Sequence, residues 1–562
     1  MSVNQPVTAN SWQRFCRGRK LDFWTVVIGI AFVTLALFLV FPFSSTVLRS
    51  FMTESGKLSF EHYIDFFRLP YYYRTLFNSL SVCVTATILA SLVGLPLAYI
   101  TARFNVWGKK LINLLIIMSL LSPPFIGAYS WILLLGRSGL ITKWVQTFGI
   151  ELPSIYGWLG IVLVFTLKFT PFVYLYVSGA LGSIDRSLEE AAANLGMPSW
   201  KRLLTITFPL ILPTILSAAL MVFMSSLADF GTPMLIGEGF KVLPVLVYEE
   251  YMSEIGGNAA VASTLSVLII LCATAVLLLQ KWVVGRKNYT MSALRPPEVK
   301  ALSAGPRLLL TACCFAFSLV AVLPQIVVVV TSFLKTNGPI FVPGFSLESY
   351  TTIMYKLSRN IANTYAYATI AIIIMVLGGL LLAYVIVRRK SKATNLLDIL
   401  IMFPYVVPGA VLGITLLVAF NKPPLLLSGT WMIMVVAYVI RKLPYTIRSS
   451  AAILYQIDPS IEEASINLGV SPMKTFFKTT ARLMAPGVFS GAILSWVTTI
   501  NELSSSVMLY TGRTATISVA IYTEVVRNSF GTAAALASIL TFTTIISLLI
   551  FYRFSGGKEI SL

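Results

Sequence analysis

Charged residues are rare in this 562-residue sequence, 11% of the total, and four of them stand inside otherwise apolar runs. Asp229 (SSLADFG) and Glu502 (TTINELS) lie 273 residues apart, and Lys168 (TLKFTP) and Arg441 (VIRKLP) repeat that spacing. An ionisable group in an apolar span is costly to keep and is therefore a functional candidate. The two carboxylates are candidates for the outer mouth of a solute pathway; capping or packing at a helix end is the plainer alternative. For the two cations the plainer alternative is snorkelling or an internal salt bridge. Pro171 and Pro444, three residues after the cations, are expected to kink their helices, with Pro123, Pro124, Pro404 and Pro408 acting likewise nearer the core.

Other chemistry has little to work with. The single histidine is His62, and the five cysteines (Cys16, Cys83, Cys272, Cys313, Cys314) show no C-x-x-C spacing. Most of these thiols sit in apolar segments and act as small hydrophobes, so no metal centre is expected. No H-E-x-x-H or G-x-S-x-G appears, and no catalytic residue is assigned. A G-x-x-x-x-G-K-[ST] phosphate loop is also missing, so this chain is not expected to bind ATP in the usual way.

A second pair of segments is stronger than the first. Ser183–Pro213 reads SIDRSLEEAAANLGMPSWKRLLTITFPLILP, and Gln456–Pro486 reads QIDPSIEEASINLGVSPMKTFFKTTARLMAP. Ser187 with Glu190, and Ser460 with Glu463, are spaced as capping boxes that start a short helix. Gly196 and Gly469 stand where a C-terminal glycine cap belongs, with Pro198 and Pro472 preventing continuation. Between them, Ala191, Ala192 and Ala193, and Ala464 and Ser465, leave a face that another backbone can approach closely. One copy would be an ordinary surface loop. Two copies in register describe a docking element.

The elements that carry these residues are membrane spans. Hydrophobic residues make up 57% of the chain and its mean hydropathy is +0.83, so most of it must face lipid. The expectation is an all-α polytopic membrane protein with about 12 transmembrane helices, near 23–47, 78–102, 111–136, 157–180, 207–230, 259–282, 307–333, 363–387, 396–420, 428–447, 484–508 and 532–553. The net charge of +20 does not point to nucleic acid. Its basic residues flank spans: Arg14, Arg17, Arg19 and Lys20; Arg103, Lys109 and Lys110; Arg388, Arg389, Lys390 and Lys392; and Lys281, Arg286, Lys287, Arg295, Lys300 and Arg307. All fall on one side if the N-terminus is cytoplasmic, while Glu249, Glu250 and Glu254 fall on the other. The first apolar run, about Leu21 to Val47, is too long for a signal-peptide core.

A basic, proline-containing linker, 285–306, separates residues 1–284 from 307–562, six spans each. The halves repeat: Asn78, Gly94, Leu95, Ala98, Tyr99 and Arg103 align without a gap with Asn363, Gly379, Leu380, Ala383, Tyr384 and Arg388. An even number of spans per half makes the repeat parallel.

The two loops resemble the EAA loop of binding-protein-dependent ABC importer permeases (E-A-A-x-x-x-G, then I-x-L-P nine residues on). Glu190, Ala191, Ala192, Gly196, Ile206, Phe208 and Pro209 match it, with phenylalanine for leucine. The second copy keeps Glu463, Ala464 and Gly469 but has Ser465, Thr479, Ala481 and Arg482 at other motif positions. The resemblance covers both halves and implies a type I importer permease fold, with two permease subunits fused head to tail. It further implies that Glu190, Ala191, Ala192, Gly196, Glu463, Ala464, Ser465 and Gly469 seat coupling helices on a homodimeric ATP-binding subunit. That subunit holds ATP and Mg, and no cofactor is expected in this chain. A periplasmic or lipid-anchored binding protein would deliver solute from outside, to be moved by alternating access across the bacterial inner membrane. The fused layout, the ADFG and NEL segments and ISVAIYTEV (Ile517–Val525) resemble the ferric iron branch, so ferric iron is the expected solute. Hexose phosphate, phosphonate, polyamine or thiamine are the alternatives within the same machinery. An ion-coupled secondary transporter would share twelve spans but carry G-x-x-x-D-R-x-G-R-R after its second span; RFNVWGKK (Arg103–Lys110) stands here instead.

Overall fold

The length and apolarity of each segment decide which become spans. The computed structural model of the protein describes residues 22–53, 56–120, 123–252, 257–285, 298–337 and 340–554. The basic residues Arg14, Arg17, Arg19 and Lys20, together with Cys16, Glu254 and the linker stretch 286–297, lie outside those residues. What is described is almost wholly helical, the exception being an antiparallel hairpin of Leu334–Asn337 with Ile340–Phe345.

Among the described residues, nine helices are long and apolar enough to cross a bilayer: Phe23–Ser50, Pro70–Arg103, Trp158–Gly182, Ser199–Ala228, Ala259–Gln280, Ala304–Ser332, Glu348–Arg388, Pro472–Ile500 and Phe530–Ile550. Three of the twelve expected segments, the third, ninth and tenth, are not among these nine, for two physical reasons. The segment read as the ninth span is broken in two, and the third is described as two helices on either side of residues 121–122, which lie outside the described residues. Lys109–Leu120 is followed by Pro124–Leu135, and Lys392–Tyr405 meets Gly409–Phe420 at 109°. Pro123 and Pro408 cap the second piece of each, in extended conformation. These prolines therefore end helices rather than kink them, because a proline has no N–H to donate and disfavours helix before it. The tenth segment is a 26-residue helix, Trp431–Gln456, whose Arg441, Lys442 and Arg448 make it too polar to count as an apolar span. Pro171 and Pro444 lie inside helices that run on through them.

The repeat read from the sequence is the packing plan. Pro70–Arg103 lies along Trp158–Gly182, and Glu348–Arg388 lies along Trp431–Gln456. Gly94 and Gly379 are the points of closest approach. A Cβ on Gly94 would sit 2.7 Å from Val173 Cβ, and one on Gly379 would sit 2.8 Å from Thr446 Cγ2. Small residues let helices touch where no water-driven force pulls them together. At the opposite ends of the same helices, Asn78 donates to Lys241 O (2.9 Å) and Asn363 to Ala515 O (2.9 Å). These bonds tie each helix to a segment that follows the fifth or eleventh span: Gly231–Ile236 and Leu243–Met252 in one half, Ser506–Leu509 and Ile517–Val526 in the other.

The halves are not independent bodies. The largest buried apolar cluster mixes residues of both, Phe230 and Leu246 with Val411 and Tyr522 among them. The first span of each half also lies against the other half. Trp24 stacks on Tyr384 (centroids 4.3 Å apart), Ser130 donates to Pro324 O (2.7 Å), and Gln325 donates to Met118 O (2.9 Å). The outer face of the first span keeps Val26, Ile30, Val33 and Leu37 exposed, a helical stripe suited to lipid.

Candidate functional site: two loop helices and two buried ion pairs

Each repeated loop folds into a short helix, Arg186–Asn194 and Ser460–Asn467. Their ends follow the glycine reading. Gly196 and Gly469 take left-handed backbone (φ +77° and +85°). Met197 N then reaches Ala192 O (3.1 Å) and Val470 N reaches Ser465 O (3.2 Å), the six-to-one bond of a Schellman motif. The capping boxes expected from Ser187–Glu190 and Ser460–Glu463 are not formed. Asp185 caps the first helix instead, accepting from Ser187 N at 2.9 Å, and Asp458, one residue ahead of Pro459 at the second helix's N-cap, accepts from Ser460 N at 2.8 Å. An aspartate carboxylate is a stronger acceptor for an orphan helix N–H than a serine hydroxyl, and both loops have it in an Ile-Asp pair. The Ser460 backbone N–H holds the Asp458 carboxyl below the ordinary aspartate range.

What fastens each helix to the membrane domain is the first glutamate of the Glu-Glu pair. Glu189 takes a two-pronged contact from Arg103, Nη2–Oε1 2.6 Å and Nη1–Oε2 3.3 Å, and a hydroxyl bond from Thr207 at 3.1 Å. Glu462 takes Arg388 Nε at 3.1 Å and the Tyr384 hydroxyl at 2.8 Å, while Arg388 also donates to Ile457 O at 2.7 Å. Arg103 and Arg388 are the repeat-matched ends of the 34-residue and 31-residue helices. At about 1.5 Å per residue such helices outrun a hydrocarbon core of roughly 30 Å, so their last turns reach the loops. The motif residues Glu190 and Glu463 face outward: Glu190 pairs with Arg186 at 2.5 Å, and Glu463 is exposed. Ala192 is buried, Ala191 and Ala464 are exposed, and Ser465 bonds the Thr475 hydroxyl at 3.0 Å. Beside the glycines stand the barest apolar side chains of the loops, Leu195 (82% exposed) and Leu468 (85%).

A neighbouring chain segment braces each anchor. Arg186 also reaches Glu298 (2.6 Å), and Lys300 pairs its backbone with Arg103 and Asn105, so the end of the linker lies along the first loop. At the second loop Asp22 pairs with Arg389 (3.1 Å), and Trp24 stacks on the tyrosine that holds Glu462.

The four intramembrane charges meet in pairs. Lys168 Nζ lies 2.5 Å from Asp229 Oδ2, and Arg441 pairs with Glu502. Asp229 also accepts from Thr232 N (2.9 Å), and Glu502 from the Ser505 N–H and hydroxyl (3.2 Å each). Both carboxylates stand just past a span's last residue, Ala228 or Ile500, and cap the turn that leaves the membrane-crossing helix. Internal salt bridges, the plainer sequence reading, are thus the arrangement found. A fifth group was not singled out from the sequence: Lys442 Nζ lies 2.9 Å from Glu502 Oε2. The signal was present in the Arg-Lys doublet, as it was for Glu189 and Glu462 in the repeated Glu-Glu doublets. Among the described residues, His, Cys, Asp and Glu form no group of three able to hold a metal ion.

The chain is similar to known transport proteins. The sequence model of the family described as binding-protein-dependent transport system inner membrane component matches residues 94–289 and again 375–557. Over 542 residues the chain is 28% identical to a ferric transport system permease protein of Actinobacillus pleuropneumoniae, covering 93% of this chain and 77% of that one. It is also 28% identical over 496 residues to a putative ferric transport system permease protein of Haemophilus influenzae, with 85% and 76% covered. A molybdenum transport system permease protein of the same organism is 31% identical over 214 residues, 37% of this chain and 91% of that one. In a crystal structure of a bacterial ABC transporter involved in the import of the acidic polysaccharide alginate, one chain matches at a TM-score of 0.40 and 16% identity, over 50% of this chain and 99% of its own.

Proposed function

The chain belongs to the binding-protein-dependent transport system inner membrane components, whose domain it carries twice, and on that premise we propose that it is the fused permease of an ATP-driven ferric iron importer. The observation that carries this reading is the pair of loop helices, each pinned by an arginine at the end of a long span and each presenting a bare leucine. Glu190, Ala191, Ala192 and Gly196, with Glu463, Ala464, Ser465 and Gly469, form the seats for a homodimeric ATP-binding subunit on the cytoplasmic side. That subunit binds ATP and Mg, and this chain hydrolyses nothing. The N-terminus is cytoplasmic, and a periplasmic or lipid-anchored binding protein docks on the opposite face.

In this scheme closure of the ATPase dimer draws the two loop helices together. Glu189–Arg103 and Glu462–Arg388 pass that movement to the spans, and the pathway turns outward to receive solute. ATP and the loaded binding protein must each favour the outward state, since a ligand with equal affinity for both states shifts nothing. Ferric iron is supported by relatives named as ferric transport permeases that span most of this chain.

The test is to purify the tagged chain from its native membrane in mild detergent and to identify by mass spectrometry what accompanies it. An ATPase at about two copies per permease, and a binding protein loaded with iron, are the expected result. If no ATPase accompanies the chain and uptake survives ATP depletion with ion gradients intact, the reading fails.

A further inference from the structure

The buried charges of the second half do not balance: Arg441 and Lys442 both face the single carboxylate Glu502. Glu502 already faces both cations and the Ser505 N–H and hydroxyl with only 5% of its side chain exposed, so its charge is matched before any solute arrives. Arg441 is different. A guanidinium carries five N–H donors, and among the described residues its only hydrogen bond goes to Glu502. Its side chain keeps 16% of its surface, which leaves the remaining donors approachable.

Those donors stand beside a group of phenols where the halves meet. Tyr445 lies one helical turn beyond Arg441 on the same helix face, within electrostatic reach of the guanidinium. Its ring packs edge-on against Tyr405, with centroids 5.5 Å apart. The Tyr405 hydroxyl donates to Met221 Sδ of the first half at 3.7 Å, a weak acceptor that a better one can replace. The first half has no equivalent excess, since Lys168 faces Asp229.

We propose that Arg441, Tyr405 and Tyr445, where Tyr405 meets Met221 of the first half, form an intramembrane binding site for a small solute bearing oxyanion oxygens, phosphate or carboxylate. The excess cation supplies the attraction, the guanidinium and phenols supply donors, and the site sits on the seam that must open for passage. It rests on the reading of the chain as a permease and adds that iron crosses this level as an anionic oxygen-ligand complex, not as a bare cation.

The experiment uses the full chain in lipid nanodiscs, without its partners, and measures equilibrium binding of radiolabelled inorganic phosphate and of radiolabelled ferric citrate. Both are expected to bind, to be displaced by excess unlabelled phosphate, and to resist putrescine. Tyr405→Phe, Tyr445→Phe and Arg441→Gln should each weaken binding by about ten-fold or more, the loss of a hydrogen bond to a charged ligand, with the thermal unfolding midpoint preserved. Arg441→Gln leaves Glu502 paired with Lys442, so a folded variant is expected. Displacement by putrescine, absence of binding by both probes, or undiminished binding in the two tyrosine variants would overturn the site. Phosphate binding that the variants abolish, with ferric citrate not bound, would leave the site standing and remove ferric citrate as its ligand.

Discussion

Glu189→Gln should free the first loop helix, whereas Glu190→Gln, one residue on, should not. Glu189 receives two charge-assisted bonds from an arginine whose side chain is 6% exposed, the carboxylate itself being 26% exposed. The amide keeps the volume and one acceptor oxygen but loses the charge, and Arg103 stays buried. Bonds to charged groups contribute about 1.5–3 kcal/mol each; with one neutral bond retained, the net loss is about 2 kcal/mol, or roughly 30-fold in the ratio of docked to undocked loop. The Glu190–Arg186 pair is 46% and 41% exposed with i,i+4 spacing. Such pairs contribute about 0.3–0.5 kcal/mol before screening, so at most roughly two-fold. Amide hydrogen exchange by mass spectrometry on the purified chain without partners, over a peptide covering residues 183–197, reads this directly, because exchange follows local opening. Protection should fall about 30-fold in Glu189→Gln and change about two-fold or less in Glu190→Gln. Equal losses, or a larger loss in Glu190→Gln, would refute the assignment of the anchor.

Other outcomes follow from the same geometry. Gly94→Leu and Gly379→Leu each drive a side chain into a helix already at 2.7–2.8 Å from the position of a Cβ; overpacking costs about 1–3 kcal/mol, so a lowered unfolding midpoint is expected, against no change for Gly29→Ala, which meets nothing within 4 Å. Leu195→Asp and Leu468→Asp alter side chains exposed by 82% and 85%, so the chain should fold as before while retaining less ATPase on purification; full retention would remove these leucines from the docking surface. Trp24 is 2% exposed, stacked on Tyr384 and edge-on to Phe476. Trp24→Ala should cost about 3–5 kcal/mol and raise hydrogen exchange in residues 460–469 well above that in 186–196. An equal rise in both loops would show that the first span does not brace the second loop specifically.

Much of the site was legible because its signals are local or repeated. The glycine ends of the loop helices could be read from spacing alone, since a left-handed cap needs glycine whatever surrounds it. An internal salt bridge for Lys168 and Arg441 could be read as an alternative, because the two cations recur at the same offset as the two carboxylates; which carboxylate each one meets could not. The start of each loop helix was less legible: serine and aspartate are both good caps, and the choice between Ser187 and Asp185 is made by the chain's path out of the preceding span. The anchor glutamates were hidden for a related reason. Glu189 and Glu190 are chemically identical, and only the arrival of Arg103 from a helix 86 residues earlier tells them apart.

By itself the sequence determined a helical membrane protein of two like halves, the loop in each that carries the repeat, and the glycines that end each loop helix. Composition, period and small residues act over a few neighbours, and lipid enforces them everywhere. The tertiary structure alone decided which proline breaks a span, which glutamate bears the loop, and that each half's first span leans on the other half. It also decided that two cations share Glu502. Each of these depends on a partner that arrives from a distant part of the chain, and burial makes the energy of that meeting large enough to choose between residues that sequence cannot distinguish.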